Sequence, residues 1–112
     1  MTNDTIHFDV PLPAGAVKVW DWELPHRTGW AEPSRGFSGS CRVIEGERDT
    51  IQINVDGIQW SSGQCEREIR VYIHTDAEPL TPARARQLAR ALIAVADECD
   101  ELATYDRVST EH

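Results

Sequence analysis

Three cysteines and one strand histidine are the residues of this 112-residue chain best suited to nucleophilic or metal chemistry. A nucleophile needs a base within hydrogen-bond reach, and zinc needs three or four Cys, His or carboxylate ligands on one centre. The spacing supplies neither. Cys41, Cys65 and Cys99 are far apart, and no CxxC, HxH or HExxH occurs. There is no GxSxG elbow, and the phosphate cradles GxxxxGK and GxGxxG are also missing. His74 falls in phase with Arg70 and Tyr72 and so faces the wetter side of its strand, away from any pairing with Cys41. Asp97 and Glu101 form an i,i+4 carboxylate pair of the kind that marks a solvated helix face. The expectation is a chain with no catalytic residue, no metal and no cofactor. Nor does a disulfide fit. Cys41 should lie opposite Ile53 or Asn54, and Cys65 beside Gln59 and Trp60, about 20 Å away along the strands. A disulfide needs Cα atoms within about 7 Å. Cys99 sits on an apolar stripe and reads as a small hydrophobe.

Residues suited to binding are more plentiful. Arg84, Arg86 and Arg90 crowd the start of a long helix, and Asp97, Glu98, Asp100 and Glu101 crowd its end. Both sets oppose the helix dipole, each charge at a cost of a few tenths of a kcal/mol up to ~1. Two such helices packed antiparallel would bring the Arg set of one against the acidic set of the other, with Ala85, Ala89, Ala91, Ala94 and Ala96 allowing close approach. The alternative is local pairing at i,i+4 and screening by salt. Four tryptophans lie outside the helix. Trp60 and one of Trp20 and Trp22 are expected in the core. Trp30 and Phe37 sit in a Gly-, Pro- and Ser-rich stretch, where they either pin it to the body or meet a partner. Arg70, Tyr72 and His74, with Gln52 and Asn54, make a polar and aromatic sheet face able to recognise a protein. The candidate interaction residues are therefore Trp30, Phe37, Arg70, Tyr72, His74, Arg84, Arg86, Arg90, Asp97 and Glu101.

These residues need a scaffold, and the pattern supplies one. Thr81 caps a helix, Pro82 suits its first position, and Leu88, Leu92, Val95, Cys99 and Leu102 form its apolar stripe. Ile51, Ile53 and Val55 alternate with polar residues, as do Ile69, Val71 and Ile73, which are expected to point inward while Arg70, Tyr72 and His74 point out. Cys41–Glu45 precedes them as a strand, with a turn over Gly46–Asp49 and a hairpin at residues 61–64. A first strand is expected over Ala16–Leu24, with Lys18, Trp20 and Trp22 on one side. The apolar phase slips at Asp56-Gly57, which predicts a β-bulge there. Residues 25–40 read as an irregular loop, and residues 76–80 as the loop into the helix. The fold class is α+β: an antiparallel meander of three to four strands covered on one face by a single C-terminal helix. Residues 1–15 read as an extended arm of low order, 16–103 as one domain, and 104–112 as a flexible polar tail.

The segments Gly57–Trp60 (GIQW), Glu66–Ile73 (EREIRVYI) and Glu78–Leu102 (EPLTPARARQLARALIAVADECDEL) resemble small acidic proteins of actinobacteria and their phages, a group with no assigned activity. The resemblance covers about the last half of the chain. It implies a phage or prophage accessory role, a class that often acts by binding host proteins. Ten of the eleven bases are Arg, in keeping with a GC-rich source. The net charge of −8 argues against a nucleic-acid-binding surface. With no basic leader and no apolar run of about 20 residues, no membrane association and a cytoplasmic location are expected. The first functional reading is a non-enzymatic interaction module that binds a protein, or a second copy of itself through the helix. The alternatives are an acidic mimic of nucleic acid that blocks a host DNA-binding protein, and a small ligand-binding domain built on residues 25–40.

Overall fold

β-Branched residues at every second position, Ile51, Ile53 and Val55, make Asp49–Trp60 (β3) the central strand and define its buried face. The computed structural model describes residues 8–75 and 79–106. β3 pairs antiparallel with Ser34–Glu45 (β2) on one side and Cys65–Thr75 (β4) on the other. Lys18–Val19 (β1) pairs with β2 and completes a four-stranded sheet in chain order. A long helix, Pro82–Ala103 (α2), lies over β3 and β4, so the fold is α+β with one helical layer. Thr81 caps it by accepting a 3.1 Å hydrogen bond from the Arg84 N–H. Val95 is fully buried against Ile51, Ile53 and Val55, with Leu88, Leu92 and Cys99 beside it.

Several local expectations give way to tertiary pairing. The first strand covers only Lys18–Val19, although hydrogen bonds continue to Trp20, and an isolated bridge joins Glu23 to Ser34. The register shifts by one between these contacts. Trp20 therefore lies over Gly36 on one side, while Trp22 is buried against Phe8 and the Arg35 guanidinium on the other. The three residues Lys18, Trp20 and Trp22 do not share a face. Residues 25–40 are not one loop. Pro25–Thr28 (α1) is a single helical turn closed by Gly29 at φ 80°, and residues 34–40 are the first half of β2. Glycine and serine are poor strand formers, but β1 and β3 flank this half of β2, and pairing on both sides outweighs propensity.

The bulge also lies elsewhere. Asp56 and Gly57 pair in unbroken register with both neighbours, and the extra residue is in β2 between Ser38 and Cys41, opposite Val55. The apolar phase does not slip at Gly57. It is vacated, because the Phe37 ring occupies the space of a side chain there, and a Cβ would lie 2.6 Å from the Glu66 carbonyl oxygen. Ile58 and Trp60 simply belong to the other face.

The ends of the described chain are tied down. Phe8 packs edge-on against Trp22 at 5.0 Å, Pro13 is buried, and the Gln59 amide donates to the Pro11 carbonyl at 2.9 Å. Residues 104–106 are not a loose tail, since Asp106 forms a buried ion pair with Arg67 at 2.7 Å. The remainder of the expected arm (residues 1–7), of the tail (107–112) and of the loop (76–78) lies outside the described residues.

Candidate functional site

The three thiols differ in setting, Cys41 being exposed and Cys65 and Cys99 partly buried. Cys41, Cys65 and Cys99 are free, and register puts Cys41 opposite Asn54 and Cys65 opposite Gln59. Burial, with the Asp106 carboxylate nearby, pushes the Cys65 thiol up to about 11, and burial also raises Cys99. Cys41 and His74 share the wet face, but His74 pairs with Thr50, four residues along β3 from Asn54. That is about 13 Å, out of hydrogen-bond reach. Among the described residues no three His, Cys, Asp or Glu side chains converge.

The strongest electrostatic feature closes one end of the molecule. Arg67 donates to both Asp106 oxygens, at 2.7 and 3.0 Å, and to the Ala14 carbonyl at 3.0 Å; the Ala14 N–H returns a 2.9 Å bond to Asp106. Both side chains are almost wholly buried, and the guanidinium stacks over Phe37. Burial acts to raise the Asp106 carboxyl, but the bonds from Arg67 and Ala14 outweigh it and hold it below its ordinary value. The bond to Asp106 raises Arg67 in turn. This clamp joins the arm, β4 and the residues after α2.

The opposite situation holds along β4. Ile69, Val71 and Ile73 pair with Val55, Ile53 and Ile51 and so face the helix side, yet they are 37%, 39% and 42% exposed. The cause is width. A helix about 10 Å across shields roughly two strands spaced about 4.8 Å, and α2 lies over β3 and β4 with its polar flank toward β2. Glu98 fixes that orientation, accepting from Ser40 at 2.7 Å and pairing with Arg42. At about 100° per residue from the buried Val95, Ala85, Ala89 and Ala96 lie on the far flank, toward the β4 edge, and Ile93 lies beyond them on the outer side of the helix. All four are exposed, Ile93 by 63%. Ile69, Val71 and Ile73 are the floor of an apolar shelf, and this flank of α2 is its wall. The shelf opens at the outer edge of β4, which pairs with no other strand among the described residues. Comparison of the chain with family models, curated proteins and solved structures finds no match.

The ten expected interaction residues do not converge. Phe37 is 1% exposed and belongs to the core. Arg84 is engaged within the chain, paired with Asp49 at 2.6 Å and donating to the Ile44 carbonyl at 2.7 Å, so it does not point outward. It borders an open cleft of about 520 Å³ lined also by Gly46, Arg48 and Leu80. Trp30 is exposed but leans on Trp60 at 6.2 Å. Arg70, Tyr72 and His74 lie on the wet face, with Tyr72 stacked on His74 and Arg70 paired with Asp56. Arg86, Arg90, Asp97 and Glu101 are exposed on α2, and among the described residues they form no ion pair, locally or otherwise. Sequence reasoning assigned Ile69, Val71 and Ile73 to the core and missed the shelf. One helix set against a sheet of four strands was the available signal.

Proposed function

We propose that the protein is a non-enzymatic interaction module, and that it binds another polypeptide on the shelf formed by β4 and α2. The observation that carries this reading is the row Ile69, Val71 and Ile73, left half-exposed beside a strand edge that pairs with no other strand among the described residues. Apolar surface gains ~25 cal/mol per Å² when covered, and a free edge offers main-chain donors and acceptors to an added strand. The wet face is a weaker candidate because its polar groups already bond one another, as in Gln52–Asn54 and Arg70–Asp56. A photo-crosslinker replacing Ile73, irradiated in a cell extract, tests the reading. Adducts with a polypeptide are expected from position 73 and absent from the same probe at the exposed turn residue Glu47. Equal adducts from both positions, or none, would remove the reading.

A further inference from the structure

The two open edges of the sheet are not alike. Beyond β1, the outer edge of residues 41–45 of β2 also pairs with no strand among the described residues, but a bulge precedes them and Arg42 points a charge to the helix side. Both are devices that discourage edge-to-edge pairing. β4 runs eleven residues, CEREIRVYIHT, in unbroken register, with no Pro, Gly, Lys or bulge. Its helix side is apolar from Ile69 to Ile73.

We propose that the occupant of the shelf is a second copy of this chain, joined β4 to β4 about a two-fold axis at Val71 to make one continuous antiparallel sheet. This rests on the reading of the shelf as a binding surface and names what binds there. The register follows from pairing. A two-fold axis perpendicular to the sheet sets opposite residues on the same face, so it must pass through a residue. At Val71 it places Ile69 opposite Ile73 of the other copy and Val71 opposite itself, which matches all three apolar residues. On the wet face it sets Arg70 against Tyr72, a cation beside a ring, and Glu68 against His74, a carboxylate beside an imidazole that can donate to it. An axis at Arg70 would oppose two arginines. An axis at Ile69 would set Val71 against Arg67, which the clamp already holds. An axis at Tyr72 would oppose Arg70 to His74 and leave Ile69 without an apolar partner.

The helix agrees independently. Arg84 bonds to Asp49, level with Thr75, and Leu102 lies against Gly15, next to the clamp at Arg67. The stretch from 84 to 102 is about 27 Å of helix, and that from 75 to 67 about 26 Å of strand. Their midpoints are Ile93 and Val71, so one axis serves both. With α2 between β3 and β4, the two helix axes would lie about two strand spacings apart, ~9.6 Å, within the usual packing distance of 8–10 Å. The flanks that meet carry Ala85, Ala89 and Ala96, and along the outer rim of the seam the same axis sets Arg86 of each copy level with Asp100 of the other. Those charges have no ion-pair partner within one chain among the described residues.

Sedimentation of the full chain from roughly 1 to 200 µM tests the proposal. The expected mass is twice the 12.6 kDa of the chain. Val71→Lys should weaken association by at least about tenfold while circular dichroism stays unchanged. Arg86→Asp, at an exposed site where an acidic residue suits the helix dipole and so does not weaken the fold, should weaken association by about fivefold, and Arg86→Asp with Asp100→Arg should restore it. A wild-type chain that remains monomeric at the top of the range overturns the proposal. A dimer indifferent to Val71→Lys, or not restored by the charge exchange, overturns it as well. If position 73 cross-links to a different polypeptide while the chain is monomeric, the shelf reading stands and the self-association is wrong; a monomer without adducts ends both.

Discussion

The two ends of β4 show how differently one strand can be finished. At Arg67, a buried ion pair, a stacked Phe37 ring, Ala14 of the arm and Asp106 beyond α2 close around the chain. From Ile69 to Ile73, the same strand carries apolar side chains toward the helix side with no described residue covering their outer halves. The difference lies in what the topology can deliver. The arm and the residues after α2 both reach the Arg67 end, whereas a single helix is too narrow to roof the sheet out to its last strand. The Arg67 end is therefore satisfied within the chain, while the outer halves of Ile69, Val71 and Ile73 are left exposed beside the core.

That contrast can be broken most severely at the clamp. Arg67→Ala leaves Asp106 buried without its partner, and a loss of about 3–5 kcal/mol is expected in urea unfolding. If the loss were below about 1 kcal/mol, Asp106 would be solvated and the closed end illusory. The next test compares like substitutions across β3 and β4. Ile53→Ala, at a fully buried site, should cost about 3 kcal/mol, while Ile73→Ala on the shelf should cost about 1 in dilute solution. Similar costs would mean that the shelf is covered.

Proton linkage gives a smaller, signed effect. Asp106 titrates below its ordinary value when folded, so its stabilisation is present above about pH 4 and is lost as pH falls through the folded value. Asp106→Asn should flatten the acid limb of the stability curve. Cys65 has the opposite sign. Its thiol is raised to about 11, so its contribution is present below the ordinary thiol range and declines as pH rises toward that value. Cys65→Ala should flatten the alkaline limb. The smallest effect is one of labelling: iodoacetamide should modify exposed Cys41 in the native protein and reach Cys65 only on unfolding.

The helix was legible residue by residue. Thr81, Pro82 and the stripe from Leu88 to Leu102 act locally, through capping, fixed φ and 3.6-residue periodicity, and the structure places them as that pattern requires. The same holds for the alternation in β3 and β4 and for the register that keeps Cys41 from Cys65. Residues 34–40 were not legible, because Gly36 and Ser38 are strand residues only by virtue of β1 and β3 on either side. Gly57 misled for a related reason: its gap in the apolar pattern is filled by Phe37 from a neighbouring strand. Of the candidate site, the residues were visible but their exposure was not. Phe37 and Arg84 turned inward, and Ile69, Val71 and Ile73 stayed half outside.

Local periodicity, capping and turn chemistry were enough to determine an antiparallel meander followed by one amphipathic helix. These are short-range preferences that each segment carries by itself. Which apolar residues lie under the helix and which lie beside it was decided only when the elements packed, because that depends on the width of α2, on Glu98 turning its polar flank toward β2, and on an arm and an aspartate meeting at Arg67 from opposite ends of the chain.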